Sequence, residues 1–155
     1  MTAKVGVPAE VKVDEYRVAI TPSGVRELVD AGHEVLVQRG AGEGSAIGDQ
    51  DYEAQGAAIL PTADDVFGEA DLIVGVKEPQ PEEVARLESR HTLFTYLHLA
   101  PAPELTKALA DSGATCIAYE TVEDRDGRLP LLAPMSEVAG KIGRASCRER
   151  VLLGV

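Results

Sequence analysis

Only two cysteines, Cys116 and Cys147, occur in the 155 residues. That is too few for a disulfide framework or a zinc site, so no metal is expected. Positive charge is scarce too: 15 Lys and Arg stand against 26 Asp and Glu, a formal net charge of −11. A field of that sign disfavours nucleic acid and anionic membranes as partners, and a small anionic substrate would need a local basic pocket within it. No apolar run approaches the roughly 20 residues of a membrane helix. The N-terminus enters a strand without the basic and apolar segments of a secretory leader, so a cytoplasmic location is expected. A dinucleotide fingerprint is also lacking. Gly40-Ala41-Gly42-Glu43-Gly44-Ser45 follows a strand, but its third glycine is displaced and Glu43 would repel a pyrophosphate. No long helix starts at once to receive the phosphates, so the stretch reads as a glycine-rich turn.

What remains is ordinary globular protein, 45% hydrophobic and 26% charged, long enough for one domain with a core. Apolar runs at Lys4 to Pro8, Glu34 to Gln38, Ala57 to Leu60, Leu72 to Val76, Thr92 to Leu97 and Ala114 to Tyr119 read as strands. Helices are expected from Pro22 to Gly32, Asp49 to Gln55, Thr62 to Phe67, Pro81 to Leu87 and Pro103 to Ser112. Thr21 caps the first of them, Pro22 suits its first position and Gly32 supplies a left-handed stop. This alternation predicts an α/β fold, a mostly parallel Rossmann-like or flavodoxin-like sheet with flanking helices. Asp126-Gly127 between apolar runs predicts a hairpin of Tyr119 to Val122 with Leu129 to Leu132, and Pro134 to Gly140 reads as a helix start.

Two strands end on a lone ionisable residue: Leu72 to Val76 delivers Lys77, and Thr92 to Leu97 delivers His98. Ligands of open parallel sheets sit outside the carboxyl ends of the strands, which is where both residues fall. Taken alone, Lys77 reads equally well as a snorkelling strand-end lysine, and a lone histidine is more often a satisfied core residue. His33 and His91 are assigned that plain role, and Cys116 core packing.

Several motifs occur together: Gly6-Val7-Pro8 with Glu15-Tyr16-Arg17-Val18-Ala19, Gly40 to Ser45, Val76-Lys77-Glu78-Pro79, Leu93 to Ala100 and Leu129 to Gly140. On these the chain resembles the alanine dehydrogenase and nicotinamide nucleotide transhydrogenase α-subunit family, over roughly residues 1 to 140. Tyr96-Leu97-His98-Leu99-Ala100 and Leu131 to Glu137 look like the dehydrogenase branch, and Gly75 stands where the family often has a second lysine. The resemblance implies a substrate-side domain, with the NAD-binding domain missing after it. It implies oxidation of L-alanine by NAD to pyruvate, ammonium and NADH, in a homohexamer when whole. By motif, Arg17 and Lys77 look like substrate-binding cations, His98 like the acid/base group, and Met135 and Ser136 like residues at the cofactor edge. An arginine fork suits a planar carboxylate, a lysine point charge can polarise the neighbouring carbonyl, and imidazole suits proton transfer near neutrality. Residues 141–155 depart from the family and resemble a translated sequencing adaptor, a non-native tail. The alternatives are a transhydrogenase α-subunit fragment and a stand-alone module for small carboxylates.

Overall fold

The computed structural model describes residues 2–134, 136 and 137, and divides into two compact units, Met1–Ala118 and Tyr119–Val155. The expectation for residues 141–155 lies outside the described residues. In the first unit, β1 (Lys4–Val7), β2 (Glu34–Gln38), β3 (Ala58–Leu60), β4 (Leu72–Val74), β5 (Thr92–Thr95) and β6 (Thr115–Ala118) form one sheet. Every pairing is parallel, and the order is β3-β2-β1-β4-β5-β6. This is the Rossmann order rather than the flavodoxin one, and its topological switch point lies between β1 and β4.

Helices α1 (Pro22–Asp30), α2 (Asp49–Glu53), α3 (Ala63–Glu69), α4 (Pro81–Val84) and α5 (Pro103–Ser112) connect the strands. Their ends follow from local chemistry. At α1, Thr21 accepts from the Gly24 amide at 3.5 Å, Pro22 opens the helix, and Gly32 leaves it at φ +87°. At α3, Thr62 and Asp65 bond reciprocally, side chain to amide, in a capping box. The strands sort their side chains onto two faces. Val35 and Val37 of β2 join Val7, Val25 and Tyr52 in one core, and Leu36 joins Phe67, Ile73, Leu93 and Leu109 in the other. That alternation places α1 and α2 on one face and α3 and α5 on the opposite one.

Gly6 of β1 is fixed by packing. A Cβ there would lie 2.7 Å from Ala70 Cβ and 2.8 Å from Val66 Cγ1, so α3 can rest on β1 only because that side chain is absent. Arg90 closes the far end of α3, its guanidinium donating to the carbonyls of Ala70, Phe67 and Gly68 at 2.7–2.9 Å. His91 is 1% exposed. Its Nδ1 accepts from the Glu88 amide at 2.8 Å and its Nε2–H donates to Phe67 O at 2.9 Å, the structural role assigned to it.

Two expectations need correction. β4 stops at Val74 and β5 at Thr95, earlier than the apolar runs imply; beyond β4 the Glu10 carboxylate rather than a neighbouring strand takes the amides of Val76 and Lys77. The predicted hairpin does not form as two strands. In the second unit Tyr119–Thr121 is a 3-10 turn, and Asp124 Oδ1 accepts from the amides of Asp126 and Arg128, each at 2.9 Å. That carboxylate folds the loop locally around Gly127, which takes φ +74°. Further along, Ala133 and Ser136 donate their amides to Leu129 O and Leu132 O at 3.0 and 3.2 Å, the spacing of a helical turn.

Candidate active site

Three adjacent strands, β1, β4 and β5, release the chain at the same edge of the sheet, and Arg17, Lys77 and His98 follow them in that order. Parallel pairing dictates this, since every carboxyl end points one way.

Arg17 sits in the loop of residues 8–21. Its Nε donates to Glu15 Oε1 at 2.7 Å and its Nη2 to Oε2 at 2.5 Å, a bidentate fork, while its amide also donates to Oε1 at 2.9 Å. The Arg17 hydrogen bonds hold the Glu15 carboxyl at about 2, far below its ordinary value, and the pairing raises the Arg17 guanidinium in turn. The loop is seated by the glycine-rich turn. Ser45 Oγ donates to Tyr16 O at 3.0 Å, and a Cβ on Gly44 would meet that same carbonyl at 2.6 Å. So the turn rejected as a phosphate cradle serves as the platform under Tyr16, next to Arg17.

Arg17 and Lys77 line one open cavity of about 440 Å³, together with Lys12 to Tyr16. His98 is not among its lining residues. It lies exposed at φ +47° beyond β5, its ring stacked on Tyr96 at 5.8 Å between centroids and 22° between planes. Glu78, the residue after Lys77, bridges the two parts. Lys12 Nζ donates to Glu78 Oε1, and Glu78 Oε2 faces His98 Nδ1 at 3.4 Å. That oxygen is buried and makes no hydrogen bond among the described residues. Burial alone would raise the Glu78 carboxyl, but Lys12, a backbone hydrogen bond and His98 outweigh it and hold the group below its ordinary value. The site is therefore an open cavity with the cations Lys12, Arg17 and Lys77 on its wall, and an imidazole outside it that faces the Glu78 carboxylate next to Lys77.

Sequence reasoning missed the carboxylates. Glu15 and Glu78 lie inside the quoted motifs, directly beside Tyr16-Arg17 and after Lys77, which is the signal that could have found them. Glu10 lies in no apolar pattern at all. Met135 lies outside the described residues, and Ser136, in the second unit, is exposed.

No turn among the described residues fits the phosphates of a dinucleotide. In a sheet of this order the turn after β1 would receive them at a helix N-terminus, but residues 8–21 intervene before α1 and carry Glu10 and Glu15.

A family model described as "Alanine dehydrogenase/PNT, N-terminal domain" matches residues 6–139. The alanine dehydrogenase of Mycolicibacterium smegmatis is 60% identical over 138 residues, 89% of this chain and 37% of the relative. That of Mycobacterium tuberculosis is 60% identical over 139 residues, 90% of this chain and 38% of the relative. That of Bacillus subtilis is 52% identical over 139 residues, 89% and 36%. Among solved structures, an L-alanine dehydrogenase matches with a TM-score of 0.86 at 49% identity, over 90% of this chain and 38% of that one. A transhydrogenase from Sinorhizobium meliloti matches with a TM-score of 0.73 at 34% identity, over 79% and 36%. The chain thus spans well under half the length of the curated relatives it matches.

Proposed function

Because this chain belongs to the alanine dehydrogenase/PNT N-terminal domain family, we propose that it forms the substrate-binding part of an NAD-dependent alanine dehydrogenase, which oxidises L-alanine with NAD and water to pyruvate, ammonium and NADH. The observation that carries this reading is the cavity shared by Arg17 and Lys77 at the β1–β4 switch point, with His98 delivered by the next strand.

Arg17 would exchange its fork from Glu15 to the substrate carboxylate, one bidentate partner for another. Lys77, a point charge on the same wall, would stand against the carbonyl or amino centre and stabilise oxygen charge as the carbinolamine collapses. His98 would carry protons to and from that centre, with Glu78 Oε2 facing its Nδ1. The reaction's hydride acceptor is NAD. The described residues do not fit its phosphates; Met135 and Ser136 are proposed to reach its edge from this side. A soluble cytoplasmic homohexamer is the proposed form of the whole protein.

The test is a chimera in which residues 6–139 replace the matching segment of the Mycolicibacterium smegmatis relative. It should make NADH from alanine, and Lys77→Ala or His98→Ala should lower kcat/KM by at least about a hundredfold. A chimera that folds and binds NAD without turnover would sink the proposal. The lower TM-score and identity of the transhydrogenase match leave that alternative weaker. Calorimetry of the chain alone with pyruvate separates the stand-alone module, which should bind tightly, from a half-site, which should bind weakly.

A further inference from the structure

β1 and β4 part company at the mouth of the site. Their pairing covers only Val5 with Leu72 and Gly6 with Ile73. Pro8 follows β1 directly, and the chain turns away into the loop that carries Arg17. On the other side β4 keeps contact with β5 for one more residue, the Gly75 amide donating to Phe94 O at 3.1 Å. The next two amides, of Val76 and Lys77, would be left without acceptors where the strands diverge, and stranding such groups inside a protein is costly.

Glu10 takes both. Its Oε1 accepts from Val76 N–H at 2.7 Å and its Oε2 from Lys77 N–H at 3.1 Å. From the β5 side, Thr95, 1% exposed, donates its hydroxyl to the Lys77 carbonyl at 2.8 Å. The backbone of Lys77 is therefore held at its amide by a side chain from the β1 loop and at its carbonyl by one from β5. Gly75 lets the two close together. A Cβ there would stand 3.2 Å from Thr95 Oγ1 and 3.5 Å from Glu10 Oε1.

We propose that Glu10 is a positioning residue for Lys77: its carboxylate stands in for the missing β1 carbonyls, opening the sheet at the substrate cavity while fixing the peptide that aims the lysine. Thr95 completes the clamp. The proposal rests on the reading of Lys77 as a substrate cation. Charge matters to the device, because only a carboxylate offers two acceptor oxygens to two converging amides. Burial pushes the Glu10 carboxyl up, and the amides of Val76 and Lys77 pull against that rise. A half-buried acid is thus kept where a glutamine, with one carbonyl oxygen and an NH₂ group, would satisfy one amide and oppose the other.

The experiment is NMR on the 155-residue chain, with pyruvate as the probe. In the wild type, the Val76 and Lys77 amides should exchange slowly although the β1–β4 ladder has ended, and Lys77 and Arg17 signals should both move in millimolar pyruvate. Glu10→Gln should speed exchange at Val76 and Lys77 at least tenfold while β2 keeps its rates. It should also cut the Lys77 pyruvate response several-fold and leave the Arg17 response standing. Thr95→Val should give the same selective loss at Lys77, and it decides the matter if Glu10→Gln does not fold. Unchanged exchange at the two amides overturns the clamp, and equal loss at Arg17 and Lys77 overturns the positioning role. Wild-type chain that gives no pyruvate response at either residue overturns the carboxylate-site reading instead, and the exchange rates then judge the clamp by themselves.

Discussion

Among single residues, Glu83 carries the sharpest pH signature. It lies beside Glu10, Lys77 and Thr95 around a small cavity walled by Phe67, Leu87 and Leu93. Burial pushes its carboxyl up to about 7, against the amide of Gln80, which it accepts at 2.8 Å. The folded chain therefore holds this proton more tightly than the unfolded one does. The stability that goes with it is complete below the ordinary value of 4.5 and is lost as pH rises through about 7. Glu83→Gln keeps a cap acceptor and removes the charge. It should match the wild type at pH 4 and exceed it by about 3 kcal/mol at pH 8. Urea unfolding at the two pH values checks this, and a variant equally or less stable at pH 8 refutes it.

The packing of α3 on β1 sets the expectation at the level of elements. Gly6→Ala would drive a methyl into Ala70 and Val66 and should destabilise by about 1–3 kcal/mol through overpacking. Gly68→Ala, on the same helix with nothing within 4 Å of the added carbon, should be neutral or stabilise by up to about 1 kcal/mol. Denaturant midpoints that fail to separate the two would show that helix propensity, not close approach, governs this contact. Most of these elements were legible from short apolar runs punctuated by glycine, as with Gly32, Gly56 and Gly113, all of which take positive φ. The strand ends were not, because Val76 and Lys77 bond to a carboxylate 66 and 67 residues away. The shared edge of Arg17, Lys77 and His98 could be read because parallel strands deliver their carboxyl ends together. Glu10 could not, since in an acidic chain a glutamate looks like solvated surface until its partner is known, whereas Glu15 and Glu78 were betrayed only by their places beside the cations of the quoted motifs.

Taken as a whole, the 155-residue chain should produce no NADH from alanine and NAD, because no turn among its described residues fits dinucleotide phosphates. Absorbance at 340 nm after complete removal of host dehydrogenases checks this, with the chimera as the positive control. Sustained turnover by the purified chain would overturn the reading that these residues hold no dinucleotide site.

The strand order also bears on how the molecule comes into being. β1 lies in the middle of the sheet, and its partner Leu72 is made long after Val5. At roughly 5–20 residues per second on a ribosome, that interval is roughly 3–13 s. Until β4 emerges, β1 shows an open edge to the cell, which invites pairing with other chains. The same interval separates Arg17 from any possible cavity, so binding competence arrives late and all at once, as a report that the central pairing has closed.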